Sequence, residues 1–373
     1  MIYLDSAATS LLKPKSVEYA MLDALRSMAS PGRGGHAPAM RAAETLYECR
    51  CAAARLFKVD DAEKVVFTFN ATHALNMAIQ SLVIPGDRVL VSGFEHNSVS
   101  RALRAAGAEI LTAGRKLFDK EDTLSSFRKH IDKAKLVVCT HVSNVFGYIL
   151  PIYEIAALCR SKNKPFIIDA SQSAGILDVD ASALRADFIA MPGHKGLMGP
   201  QGTGILICNR VPRAFMHGGS GSDSISQHMP EFLPDAGEAG THNVCGIAGL
   251  KAGIEYVTEK GTDSILKHEQ RLKNLASSIL REDDSMEVFS AGDAVQSGVL
   301  SVISQNLDCE SLAQRLAEKS ICVRAGLHCA PLAHESAATI KSGTVRLSFS
   351  PFIRDEEVIN AAAQIKKLCA AEA

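Results

Sequence analysis

No tryptophan occurs among the 373 residues, and aromatic side chains make up only 5%. Neither shortage excludes a function class, but other absences do. No apolar run approaches the roughly 20 residues that span a bilayer. The opening MIYLDSAATS lacks a basic stretch followed by a long apolar one, so no secretory signal is expected and the cytoplasm is the expected compartment. An excess of one charge is also missing, since 40 basic and 41 acidic residues leave a formal net charge of −1. A dedicated nucleic-acid binder needs a basic footprint, so neither nucleic acid nor membrane is expected as a partner. None of the ten cysteines forms a CxxC pair, which argues against zinc ribbons and thioredoxin-like sites. Histidines are not spaced with acids or cysteines as metal ligands, so no metal is expected. In a reducing compartment most of the thiols are expected to be buried as small apolar groups.

What is present is an ordinary globular composition, 47% hydrophobic and 22% charged. At roughly 150 residues per domain the length suits two or three domains. Short β-branched runs occur at 65–69, 88–91, 135–140, 165–169, 188–191 and 204–208. Between them lie helix-like stretches; 71–82 carries apolar residues at 71, 74, 75, 78, 79 and 82, the spacing of one helix face. Strand–helix alternation predicts an α/β fold with a mostly parallel sheet covered by helices. Past residue 250 the pattern changes to helices over 249–260 and 264–281, strands at 298–304, 320–324 and 344–348, and helices at 309–318 and 355–371. This predicts a large domain over 15–249 and a smaller α+β domain over 250–373, with the segment 1–14 packing on the latter. Residues 209–246, rich in Gly, Ser, Pro and His, are expected to be a functional or interface loop.

Two strand ends carry chemistry. Asp169 closes the apolar run PFIID, and ligands bind at the carboxyl ends of parallel strands. Lys195 follows FIAMPGH within a glycine-rich stretch where backbone can approach a ligand closely. A desolvated lysine there can attack a carbonyl as a neutral amine. A carboxylate for a pyridinium nitrogen and a lysine for a Schiff base together suit pyridoxal phosphate. Thr72 and His73 open the helix 71–82, whose free N–H groups offer a phosphate seat. GRGGHA at 32–37 formally matches GxGxxA, but no strand precedes it, so a dinucleotide site is not expected.

The ordered motifs YLDSAAT at 3–9, RGGH at 33–36, FNATHALN at 69–76, EHNS at 95–98, HVSNVFG at 141–147, DASQ at 169–172, GHK at 193–195, AGTHN at 239–243 and RAGLHCAPL at 324–332 run almost end to end. On these the chain resembles the class V aminotransferase group of fold-type I pyridoxal-phosphate enzymes. Within it, the chain is similar to cysteine desulfurases and selenocysteine lyases of the group II type. The resemblance implies pyridoxal 5′-phosphate as cofactor, bound by Ala71, Thr72, His96, Asn144, Asp169, Gln172, His194 and Lys195. It makes Lys195, Cys329, His96 and Asp169 the catalytic set. Arg346, Asn144 and His36 are implied at the substrate, with Arg346 clamping its carboxylate. Thr241 is implied to reach the cofactor of a neighbouring subunit in a homodimer. The implied reaction turns L-cysteine into L-alanine through a persulfide on Cys329, which then passes sulfur to a thiol or an acceptor protein.

The implied alternatives are a selenocysteine lyase or another C–S or C–Se lyase and, outside enzymes, a regulatory scaffold that binds the cofactor. Three positions depart from the family's pattern. Pro192 stands where many relatives have a phosphate-binding Ser, Leu327 where group II members often have a second His, and Ser6 where Asn is commoner.

Overall fold

The computed structural model describes residues 1–31 and 34–370. Thirteen strands order the described chain: β1 (Ile2–Tyr3), β2 (Val65–Thr68), β3 (Arg88–Ser92), β4 (Glu109–Ala113), β5 (Leu136–Thr140), β6 (Phe166–Asp169), β7 (Phe188–Pro192), β8 (Gly204–Cys208), β9 (Met286–Phe289), β10 (Val299–Ser304), β11 (Ile321–Cys322), β12 (Arg324–Gly326) and β13 (Thr344–Ser348). Seven of them form one sheet in the order β2-β8-β7-β6-β5-β3-β4. The neighbours from β7 to β4 are parallel, while β8 is antiparallel to both β7 and β2. Strands β5, β6, β7 and β8 are buried along their whole length, which is why each reads as an unbroken apolar run. A second, antiparallel sheet runs β12-β13-β10-β9. The N-terminal β1 pairs in parallel with β11.

Several local expectations shift. The helix expected over 249–260 begins earlier and spans Val244–Lys260, because Asn243 caps it by accepting from Gly246 N–H. Its glycines disguise the helix in sequence but let it lie close to the loop after Lys195; a Cβ on Gly253 would sit 2.3 Å from the Leu197 carbonyl oxygen. The strand expected over 320–324 divides into β11 and β12. A short helix, Pro331–Ser336, follows Cys329 between β12 and β13. Strand β4 and the long helices Lys15–Ser27 and Ala37–Phe57 carry no expectation from the sequence. Residue 371, the expected end of the last helix, lies outside the described residues, as do Gly32 and Arg33 of the RGGH and GxGxxA motifs. No helix among the described residues is long and apolar enough to cross a membrane.

A buried ion pair ties the helix Ala37–Phe57 to the segment before Thr241. Arg50 Nη1 and Nη2 donate to the two Glu238 oxygens at 2.7 and 2.5 Å, and Phe67 N–H donates to the same carboxylate. Burial alone would raise the Glu238 pKa, but Arg50 and His242 hold it below the ordinary glutamate value. The pair's stabilisation is therefore present above that ordinary value and fades as pH falls through the lowered folded one. Arg50→Ala is expected to cost about 3–5 kcal/mol, because it strands a buried carboxylate. Thermal unfolding near neutral pH checks this; a loss below about 1 kcal/mol would mean that water already reaches Glu238.

Candidate active site

Strands β5, β6 and β7 end side by side. Asp169 is the last residue of β6 and only 2% exposed. Pro192 ends β7, and the chain turns there to carry His194 and Lys195. A cavity of about 190 Å³ opens at these ends. Its wall includes Ala71, Thr72, His96, Asn144, Asp169 and Gln172, and also His194, Lys195, Cys329 and Arg346. Ten sequence-selected residues thus meet around one space.

Each is held by a local cause. The helix Ala71–Leu82 is capped by Asn70, whose side chain accepts from His73 N–H. The first amides, of Ala71 and Thr72, have no acceptor within the helix, as at any helix start. His96 caps the helix Asn97–Ala105 by accepting from Ser98 N–H at Nδ1. Its neutral ring must then carry its proton on Nε2. Burial pushes the His96 pKa down to about 4, with Asp169 opposing, so the ring is neutral at physiological pH. Asp169 Oδ1 accepts from both the amide and the hydroxyl of Ser171. Gln172 donates to the Ala7 carbonyl at 2.9 Å.

Lys195 is not sealed, since part of its surface faces the cavity. Protein nevertheless crowds the ammonium. Desolvation lowers its pKa to about 8, with Asp169 opposing and Arg346 and Arg324 adding repulsion. His194 lies against Thr9 Oγ1 at 3.0 Å, and its backbone carbonyl accepts from Ser10 N–H. Burial lowers its pKa to about 4.

Arg346, in the middle of β13, is 2% exposed. It donates to Asp5 Oδ1 at 2.7 Å and to the Asn144 carbonyl at 2.9 Å, while its Nε is buried without a partner. Asn144 in turn donates its amide to the His328 carbonyl at 2.8 Å.

Cys329 is the one exposed cysteine of the ten; the others are buried or partly so, and all ten are free thiols. It sits in a turn with φ of +50° at His328 and +55° at Cys329. Two consecutive non-glycine residues in the left-handed region cost on the order of 1–3 kcal/mol each and persist only where the surroundings over-determine them. Here the Asn97 N–H clamps the Cys329 carbonyl at 2.7 Å and Asn144 clamps that of His328. Leu327 is 39% exposed and adds no ring to the turn; the ring beside His328 comes from His334.

Two implied residues lie elsewhere. His36 caps the helix Ala37–Phe57 and does not line this cavity. Thr241 lines a separate cavity with Phe67, His73, Met216, His242 and Asn243. Sequence reasoning missed Asp5, Thr9 and Ser10, which reach the site through the N-terminal segment, and Arg324, which faces Arg346 across β12 and β13. Asp5 and Arg324 stand inside quoted motifs, but nothing in the sequence says what they touch. Glu95, fully buried beside His96, was also missed; burial pushes it up to about 8.

The Aminotransferase class-V family profile matches residues 2–360. A probable cysteine desulfurase of Methanothermobacter thermautotrophicus is 32% identical over 380 residues, covering 96% of this chain and 92% of that protein. One from Pyrococcus abyssi is 32% identical with the same coverage. Among solved structures, the apo cysteine desulfurase from Thermococcus onnurineus NA1 superposes with a TM-score of 0.91 at 31% identity, covering 99% of this chain and 95% of that one. The cysteine desulfurase CsdA (S-sulfonic acid) from Escherichia coli gives 0.87 at 25% identity, covering 99% and 94%. With its profile matched nearly end to end, the chain belongs to the class-V aminotransferase family.

Proposed function

We propose that this protein is a pyridoxal-phosphate-dependent cysteine desulfurase that converts L-cysteine to L-alanine and takes the sulfur onto Cys329. The observation that carries this reading is the exposed Cys329 thiol on the wall of the cavity that also holds Lys195, Asp169 and Arg346.

The residues present fit the cofactor. Unengaged amides at the start of helix Ala71–Leu82, with the Thr72 hydroxyl and His194 nearby, suit a phosphate. Pro192 has no N–H to add to that set. A strand-end carboxylate at Asp169 suits a protonated ring nitrogen, neutral His96 suits the ring face, and Gln172 and Asn144, which line the same cavity, suit the ring oxygen. Lys195 is the covalent anchor. When bound, pyridoxal phosphate supplies an electron sink that lets the substrate's α-proton leave.

The chain's own groups do the rest. Arg346 offers a guanidinium for the substrate carboxylate, with its Nε unpaired. Lys195 Nζ, its pKa brought down toward neutrality, takes the α-proton and returns it. The Cys329 thiolate attacks the substrate sulfur, so that an S–S bond forms and the Cβ–S bond breaks. The electron pair of that bond returns to the substrate skeleton, which is protonated to alanine.

Thr241 is read as serving a partner subunit, because it lines a different cavity from Lys195 of its own chain. Exposed Tyr19, Leu25, Met40 and Tyr47 on helices Lys15–Ser27 and Ala37–Phe57 support a covered face there and a homodimer. The clamped turn at Cys329 supports an acceptor protein that comes to the thiol to collect sulfur. Ten free cysteines support a reducing, cytoplasmic setting.

The test is the cofactor-loaded protein with L-cysteine and excess thiol reductant. Alanine and sulfide should appear in equal amounts. Without reductant, the Cys329 peptide should gain the mass of one sulfur. No alanine from fully loaded protein would overturn the desulfurase reading.

A further inference from the structure

Behind Cys329 lies a row of buried imidazoles that the proposed reaction does not use. His328 is 5% exposed, and His334, on the helix Pro331–Ser336, is 0%. His328 Nε2 lies 3.2 Å from the Arg324 carbonyl, which can only accept. His328 therefore carries a proton on Nε2. As a neutral ring, its Nδ1 is an acceptor. That nitrogen faces His334 Nε2 at 3.4 Å, a long hydrogen bond in which His334 must donate. His334 Nδ1 is then an acceptor, and Thr339 Oγ1 donates to it at 2.7 Å. One direction of donation runs through the row, from the Thr339 hydroxyl to His334, from His334 to His328, and from His328 to the backbone of β12.

We propose that His334 is a positioning residue for the Cys329 thiol: its Nε2–H fixes the tautomer and orientation of His328, the ring on which the left-handed His328–Cys329 turn is built. Both rings are neutral near pH 7. Burial lowers His328 to about 3, with Arg346 adding repulsion. Burial also lowers His334 to about 4, against a smaller opposing pull from the Thr339 backbone. The charged groups facing His328 are Arg346 and Arg324, and both resist its protonation. The Cys329 thiol shares the cavity wall with those same guanidinium groups, and the turn fixes its place in their positive field. A turn that loosens takes the thiol out of that field. For sulfur transfer the inference rests on the desulfurase reading; for thiol reactivity it does not.

The experiment follows alkylation of Cys329 by iodoacetamide against pH in the cofactor-loaded protein, read on the Cys329 peptide by mass spectrometry. His334→Phe keeps a flat ring beside Phe146, 5.9 Å away between centroids, but removes the donor. It should raise the midpoint of the alkylation profile by about half to one pH unit. Below the midpoint that slows the reaction about 3- to 10-fold. His334→Gln keeps an N–H donor and should stay within about twofold of wild type. Thr339→Val removes only the hydroxyl behind His334 and should shift the profile in the same direction as His334→Phe. A His334→Phe rate within twofold of wild type overturns the inference. So does the reverse order, with Gln slower than Phe, which is the signature of packing alone. If His334→Phe does not fold, an unshifted Thr339→Val profile overturns it instead. Alanine formation measured alongside separates the two readings, since the alkylation order stands even if no alanine is made.

Discussion

Lys195→Ala is expected to lower alanine formation from L-cysteine by about 10²–10⁴-fold, the usual scale for losing a positioned proton-transfer group, while the protein still folds and retains the cofactor non-covalently. Lys195 stands between two demands. To anchor a cofactor aldehyde it must be a neutral amine, and to move the α-proton it must accept and release one near neutral pH. An ordinary lysine near 10.5 is poorly matched to both. Here desolvation brings it to about 8, although Asp169 pulls the other way. The protein thus obtains a reactive amine while keeping the buried Asp169 carboxylate in the same cavity. The sign of the pH dependence follows. Covalent capture of added cofactor by the apoprotein should accelerate as pH rises and level off above a midpoint of about 8. A midpoint near 10 would mean that water solvates the ammonium and that the crowding described above is not felt. Borohydride reduction should fix the cofactor on wild type and not on Lys195→Ala.

The parts of the fold legible in sequence are those where one physical cause dominates. Strands β5 to β8 are buried on both faces, so composition alone reveals them. Strand β4, at the sheet edge with Glu109 exposed, has no such run and passes unnoticed. Helix Val244–Lys260 loses its opening turns to glycines that serve close packing.

The site divides in the same way. Asp169 and Lys195 can be picked out because their residue types are costly in those places, and Cys329 through the motif RAGLHCAPL that carries the resemblance. Thr9 and Ser10 act through the backbone and side chain of a residue about 185 positions away, and no local pattern encodes that. His334 is one histidine in a six-residue helix, with no periodicity to mark it. Its role follows only from which nitrogen faces which oxygen.

Cys329→Ala separates the chemistry of the cavity from the cofactor's own. Alanine formation from L-cysteine is expected to fall more than about 10³-fold, the scale on which deleting a covalent nucleophile acts. Cofactor absorbance and its reaction with borohydride should be unchanged, because the lysine follows β7 whereas Cys329 stands on a separate turn between β12 and β13. The turn itself should survive, since its backbone clamps come from Asn97 and Asn144 and not from the thiol. The substrate then decides between related activities. If selenium leaves without thiol attack, the same variant should retain much of its rate with L-selenocysteine. Equal loss on both substrates would mean that Cys329 serves as more than a sulfur acceptor, for instance by donating a proton to the leaving group. Full activity of Cys329→Ala on L-cysteine would be incompatible with the persulfide route. The only exposed thiol on the cavity wall would then be a bystander, and elimination of sulfide from the substrate would have to proceed on Lys195 alone.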